Sequence, residues 1–197
     1  MNRIKLFNRF DCKIDTCSFN HMLHDSSVEL FEIKFKEFVA PDKDQIYSVS
    51  VNSATSAIQL IIEYMLESKL ALRVEIPACI PIVVPNALLH PSSVIPDPVE
   101  IVLRDDTSWI GNAYTLYKDS KITIIDSAQH LEYDQLSEIE KVIQTDDYII
   151  IHSFYPTKPL GGLDGGMITT NVKDFADWFR TATHNGVSIE KQAASWT

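Results

Sequence analysis

Two short segments, Ile122 to Ile125 and Tyr148 to Ile151, are nearly unbroken in their apolar character. A strand with one wet face alternates apolar and polar residues. A strand without that alternation is buried on both faces. Such strands need helices above and below them, and the sequence supplies helical patterns on either side.

In chain order the periodicity predicts a helix over Ser27 to Ala40, with Val28, Phe31, Phe35 and Phe38 on one stripe, ended by Pro41. A strand follows over Gln45 to Val51, then a helix over Ser53 to Leu66 with Ala57, Ile58, Ile61, Ile62 and Met65 facing inward. Ala71 to Ile76 reads as a strand, Ile82 to Leu89 as a helix and Val99 to Leu103 as a strand. Asp105 to Ser120 carries no clear period. After the first apolar run, Asp134 to Ile143 reads as a helix with Leu136, Ile139, Val142 and Ile143 inward. After the second, Gly166 to Thr170 reads as a strand and Lys173 to Thr183 as a helix built on Phe175, Trp178 and Phe179. Strands alternating with helices predict a three-layer α/β/α fold around a mainly parallel sheet. The 197 residues are enough for one such domain.

Charge removes several partners. Seventeen Lys and Arg against 27 Asp and Glu give a net charge of −10. No basic excess is available to neutralise phosphates, which argues against nucleic acid and anionic membrane surfaces as partners. No apolar run nears the roughly 20 residues that span a bilayer. The start, MNRIKLFNRFDCKID, lacks the apolar core of a secretory signal, so the expected location is cytoplasmic. Three cysteines, Cys12, Cys17 and Cys79, fit reduced thiols. Cys12, Cys17, His21 and His24 are close in sequence. However, the gap from Cys17 to His21 is far shorter than the loop of about a dozen residues in finger-type zinc sites. No metal site is expected, and residues 1–26 read as a polar N-terminal arm.

In sheets of this class ligands bind beyond the carboxyl ends of the strands. Three loops lie there. Asn52 to Ser56 opens a helix with hydroxyl and small residues, which suits a phosphate through free N–H groups and the helix dipole; an ordinary N-cap would look the same. Asp126 directly follows a buried strand, where a carboxylate is costly unless paired; it reads equally as a helix cap or as the partner of a protonated ring nitrogen. Gln129, three residues on, is placed to hydrogen-bond the same ligand. Ser153-Phe154-Tyr155-Pro156-Thr157-Lys158 follows the second buried strand and leads into two glycine pairs. Most lysines are solvated. Lys158, just past a buried strand, reads either as such a solvated loop lysine or as a desolvated amine, which would be a better nucleophile toward carbonyls.

Together these segments resemble one family. Ser53-Ala54-Thr55-Ser56-Ala57, Pro77-Ala78, Asp126-Ser127-Ala128-Gln129, the Ser153 to Lys158 run, Asp164-Gly165-Gly166 and His184-Asn185-Gly186 occur in its order. The chain resembles the pyridoxal-phosphate aminotransferases of fold type I, in the DegT/StrS-like branch that aminates nucleotide-linked keto-sugars. The resemblance implies that residues 27–187 form a shortened large domain that binds pyridoxal 5′-phosphate. It implies that Lys158 forms the Schiff base with the cofactor and later moves a proton. Asp126 would pair with the pyridinium nitrogen, Gln129 would contact the ring oxygen, and Thr55, Ser56 and Ser153 would hold the phosphate. The reaction implied is amino transfer from glutamate to a keto-sugar, by a homodimer or with a partner chain. The alternative is a non-catalytic or partial member acting as a binding or interaction module.

The sequence departs from the family pattern at defined places. Ala54 replaces a glycine, and Asp164 replaces the Glu of E-G-G. Ile80 and Pro81 stand where the pattern has a Thr and a ring-stacking aromatic, with Trp109 and Tyr155 as candidate substitutes. Only 22 residues separate Leu103 from Asp126, although one βαβ unit takes roughly 30. A strand–helix unit is therefore expected to be lost or compressed there. Residues 188–197 read as a tail, with no small C-terminal domain after them.

Overall fold

The computed structural model describes residues 26–68, 72–89, 99–107 and 109–184. The cluster of Cys12, Cys17, His21 and His24, most of the N-terminal arm and the C-terminal tail lie outside the described residues.

The elements are α1 (Ser26–Val39), β1 (Tyr47–Val51), α2 (Ala54–Ser68), β2 (Leu72–Pro77), α3 (Val83–Leu89), β3 (Val99–Arg104), β4 (Tyr114–Lys118), β5 (Ile122–Asp126), α4 (Gln135–Glu140), β6 (Asp147–Ser153), β7 (Gly166–Thr170) and α5 (Lys173–Thr183). The main sheet has the order β1-β7-β6-β5-β4, and β2 pairs with β3 separately.

Both faces of this sheet are covered, as the apolar runs require. Ile149 and Ile151 of β6, with Ile122 and Ile124 of β5, join Ile61, Ile62, Leu88 and Phe179 in one core. Tyr148 and Ile150, with Ile125, turn to the other face and meet Phe35, Val39, Leu136 and Ile139. Every residue of β5 is buried. The three-layer α/β/α architecture is thus present.

The sheet is mixed, so the expectation of a mainly parallel one is met only in part. β5 and β6 run parallel, as do β2 and β3. β1–β7, β6–β7 and β4–β5 are antiparallel. Double-sided burial fixes which faces are dry but not strand direction; the connections decide that. β7 returns from the loop 154–165 directly alongside β6, with Phe154 N–H bonded to the Gly165 carbonyl at 2.9 Å. β4 meets β5 through a tight turn at Asp119 to Lys121, whose Asp119 carboxylate accepts the Lys121 and Ile122 N–H groups at 2.8 and 2.9 Å. A turn this short can only join antiparallel strands.

That turn also explains the missing length between Leu103 and Asp126. Among the described residues no helix joins β4 to β5. The strand is kept, and the helix that would have carried the chain back for a parallel return is replaced by a hairpin.

Two helical stripes differ from the pattern. In α1, Phe35 and Val39 are buried with Glu32, whereas Val28, Phe31 and Phe38 are exposed. Glu32 is drawn inward because it accepts from Arg180 Nη1 at 2.8 Å and from the Ser50 N–H at 2.8 Å. α4 ends at Glu140, so Val142 leaves the helical stripe and is 73% exposed.

Gly166 fixes how closely the sheet approaches α2. A Cβ there would stand 2.7 Å from Ala54 N and 2.8 Å from the Ser53 carbonyl carbon, both backbone atoms with no freedom to yield. Beside it Gly165 has φ +123°, a region open to glycine, and bridges to Ser53. Gly166→Ala is therefore expected to destabilise the fold by about 1–3 kcal/mol through overpacking, read as a lower urea midpoint at unchanged slope.

Candidate active site

The three strand-end loops converge on one cavity of about 590 Å³. Its lining includes Thr55 from the start of α2, Asp126 and Gln129 from the end of β5, and Ser153 and Lys158 from the end of β6. Five of the six site residues expected from sequence thus share one space. Ser56 lies around the helix and lines an adjoining cavity with Glu32 and Arg180; Ser53 stands beside Thr55 instead.

Ser53 caps α2. Its Oγ accepts the Ser56 N–H at 3.1 Å, and its carbonyl accepts the Ala57 N–H at 3.1 Å. A first helical turn leaves N–H groups without intrahelical partners, and the dipole adds partial positive charge there. Ala54, in place of glycine, is the first helical residue, and among the described residues only Asp134 has positive φ outside glycine. An alanine is therefore accommodated at this helix start without backbone strain.

Asp126 is buried and each oxygen has its own donor. The Ala128 N–H donates to Oδ1 at 2.9 Å, and the Tyr114 hydroxyl donates to Oδ2 at 2.8 Å. Burial pushes its pKa up, while those two hydrogen bonds and the Lys158 charge pull it down; the net direction is upward. Lys158 is half-buried. Desolvation lowers its pKa, opposed by attraction to Asp126. Its ammonium makes no hydrogen bond or ion pair among the described residues, so the amine is available for chemistry. The loop that carries it is held by backbone bonds from Lys158 N–H to the Tyr155 carbonyl at 2.9 Å and from Gly162 N–H to the Phe154 carbonyl at 2.8 Å.

The remaining wall combines residues the sequence did not mark with others it named. Asn112 and Tyr114 line the cavity, with Thr157 and Asp164 from the glycine-rich loop. Ile80 and Pro81 also line it, so the place of the ring-stacking aromatic is aliphatic. Trp109 lines it too, and its indole nitrogen is buried without a hydrogen-bond partner among the described residues. Tyr155 reaches the cavity but is 55% exposed. The apolar–polar–apolar alternation of Tyr114, Thr115 and Leu116 is the signal within Asp105 to Ser120 that points to a strand, and the burial of these residues alternates with it.

The donor set suits a phosphorylated, aldehyde-bearing heteroaromatic cation. A desolvated amine can capture the aldehyde, a buried carboxylate can pair with the ring charge, and a helix start can take the phosphate. Among the described residues no group of three or more His, Cys, Asp or Glu side chains is placed to hold a metal ion. No described helix is long and apolar enough to cross a membrane.

Comparison with known proteins agrees with this architecture. Residues 116–197 match the model of the DegT/DnrJ/EryC1/StrS aminotransferase family. DesV of S. venezuelae, solved in complex with a ketimine intermediate, superposes with a TM-score of 0.56 at 20% identity, over 86% of this chain and 51% of that one. DesI, solved in the presence of its TDP-sugar product, gives 0.55 at 16% identity, over 85% and 47%. PseC of Helicobacter pylori, an aminotransferase involved in pseudoaminic acid biosynthesis, gives 0.54 at 15%, over 81% and 48%. At these identities the likeness shows a shared fold. The chain spans about half the length of the solved structures it matches. No curated protein matches it.

Proposed function

We propose, from the premise that residues 116–197 carry the DegT/DnrJ/EryC1/StrS aminotransferase domain, that this chain binds pyridoxal 5′-phosphate and transfers amino groups. The donor would be an amino acid such as glutamate and the acceptor a nucleotide-linked keto-sugar. The observation that carries this reading is the meeting of Lys158, Asp126, Gln129, Ser153 and Thr55 in one cavity.

The cofactor, when bound, supplies an electron sink for carbanion chemistry. The protein does the rest. Lys158 would hold the cofactor through its amine, and the same Nζ would accept and return the proton that amino transfer moves. Its lowered pKa keeps a fraction of it neutral for both tasks. Asp126 keeps the ring nitrogen protonated. A positive ring reverses the upward push that burial gives this carboxyl, because an adjacent cation favours the ionised form. Gln129 orients the ring oxygen. Thr55, Ser153 and the start of α2 take the phosphate, with Ser53 and Ser56 fixing the helix end through their mutual hydroxyl contact at 3.1 Å. Trp109 offers a flat face where Ile80 and Pro81 cannot.

A homodimer in the cytoplasm, serving polysaccharide biosynthesis, belongs to the same reading. Exposed Ile82, Val83 and Ile110 adjoin the cavity-lining Pro81 and Trp109, and such an apolar rim is suited to cover by a second chain. The non-catalytic alternative is less favoured, because Lys158 and Asp126 line the same cavity.

The test begins with borohydride reduction of the protein mixed with pyridoxal phosphate, followed by peptide mass analysis. The label should fall on Lys158; a label found only on surface lysines sinks the assignment. In a separate, unreduced sample, glutamate should convert the bound cofactor to its amine form. Thr55→Val and Ser153→Ala should each weaken cofactor binding by roughly tenfold or more, the loss expected for a hydrogen bond to a charged group. Binding unchanged in both would place the phosphate elsewhere.

A further inference from the structure

The cavity contains one polar contact that the aminotransferase reading does not use. We propose that Tyr114 is a positioning residue for that reaction: its hydroxyl, donated to Asp126 Oδ2, locks the carboxylate in the orientation that faces the cavity. The proposal rests on the reading of Asp126 as the partner of a cationic ring.

The contact is built into the fold. The β4–β5 hairpin sets Tyr114 directly opposite Asp126. Opposed residues of an antiparallel pair point to the same face with their Cβ atoms about 5 Å apart, so the phenol bridges the gap to the neighbouring carboxylate, 2.8 Å from Oδ2. Tyr114 is only 8% exposed, so its hydroxyl needs a protein partner. Ala128 N–H holds the other oxygen at 2.9 Å. With one donor on each oxygen, the carboxylate cannot swing about its own axis. Each oxygen keeps a lone pair for a third partner.

The hairpin makes this arrangement possible. A helical return between these strands would have run β4 the other way, and Tyr114 would not stand at the cavity end of β5. The compression between Leu103 and Asp126 thus brings a donor to the buried carboxylate of the site.

The charged and titratable groups facing the pair are few. Lys158 acts on Asp126 from the loop after β6, and Arg104 of β3 acts on Tyr114. Neither donates a hydrogen bond to the carboxylate, so Tyr114 is the side chain that separates orientation from mere charge. A tyrosine kept only to fill the core would be replaceable by phenylalanine without effect on Asp126.

The experiment follows Asp126 by carbon NMR in the full-length, cofactor-free chain carrying carboxyl-labelled aspartate, comparing wild type with Tyr114→Phe. The Asp126 midpoint should move up by about one unit, a tenfold rise in proton affinity. An unmoved midpoint in a folded variant overturns the proposal. Should Tyr114→Phe not fold, Asp126→Asn with ring-labelled tyrosine gives the reciprocal reading. Tyr114 should then ionise at lower pH, and no change would overturn the proposal equally. Neither titration involves pyridoxal phosphate. Absence of cofactor on Lys158 would sink the aminotransferase reading without touching this coupling. Normal cofactor capture with an unmoved Asp126 would sink this inference alone.

Discussion

Lys158→Ala should abolish the yellow absorbance that wild type develops with pyridoxal phosphate, and dialysis should strip the variant of all cofactor. Lys158→Arg should fail in the same way, because it restores charge but not an amine that can shed its proton and attack the aldehyde. The fold should survive both changes. Lys158 is half-buried, and its ammonium makes no hydrogen bond or ion pair among the described residues, so its removal leaves no orphaned partner. Desolvation already disfavours its charged form in the folded chain. Thermal midpoints of the cofactor-free proteins should therefore be nearly equal, with a slight gain for Lys158→Ala. A variant that still turns yellow would show that another amine captures the cofactor. A variant that unfolds would show that the loop 154–165 depends on this side chain for structure.

The second large effect is an acid instability centred on His152. This residue is 2% exposed on the face of the sheet turned away from the cavity, edge-on to Phe35 at a centroid distance of 5.0 Å. Its Nε2 lies 3.1 Å from Gln135 Oε1. The Gln135 amide nitrogen donates to Ser127 Oγ at 2.7 Å, and Ser127 Oγ donates to the His130 carbonyl at 2.8 Å. That chain assigns the proton to Nε2 and, among the described residues, leaves Nδ1 without a donor or acceptor. Protonation would bury an unpaired charge. Desolvation, with a smaller contribution from His130, lowers the pKa from 6.5 to about 3.

The sign follows from linkage. In the unfolded chain His152 takes up a proton below about pH 6.5; in the folded chain it does so only near pH 3. Stability is therefore full above pH 6.5 and is lost as pH falls from there toward 3. The slope approaches 1.4 kcal/mol per pH unit and the total is of order 4–5 kcal/mol. Asp126 acts in the opposite sense in acid, because its raised folded pKa lets the folded state take up a proton first. The clean measurement is the difference in urea midpoints between wild type and His152→Leu across pH 4 to 8. That difference should shrink as pH falls, because only wild type carries the penalty. A difference independent of pH would mean that folding leaves the His152 pKa unchanged.

These two residues also show what a sequence reveals. Lys158, Asp126, Gln129, Ser153 and Thr55 were legible because each follows a strand or opens a helix whose pattern is local. The buried runs at β5 and β6 announced two covered faces. Strand direction was not legible, since burial on both sides is the same for parallel and antiparallel neighbours. Tyr114 was missed because its partner is set by hairpin register, not by spacing along one element. Glu32 likewise reads as the polar side of α1, and only its partner Arg180, 148 residues away in the chain, accounts for its burial. His152 looks like the end of an apolar strand until the donor chain behind it is visible.

The placement of β1 governs the order in which the molecule assembles. β4, β5 and β6 are close in the chain, and their loops close at small entropic cost. Among the described residues β1 pairs only with β7, as with Ser48 and Thr169, whose hydroxyls meet 3.3 Å apart across 121 residues. Long-range pairings of this kind slow folding. α2 begins two residues after β1 and is seated against Gly166, so its N-terminus takes its place only when that last pairing forms. In refolding, the secondary structure should therefore appear well before the ability to capture cofactor.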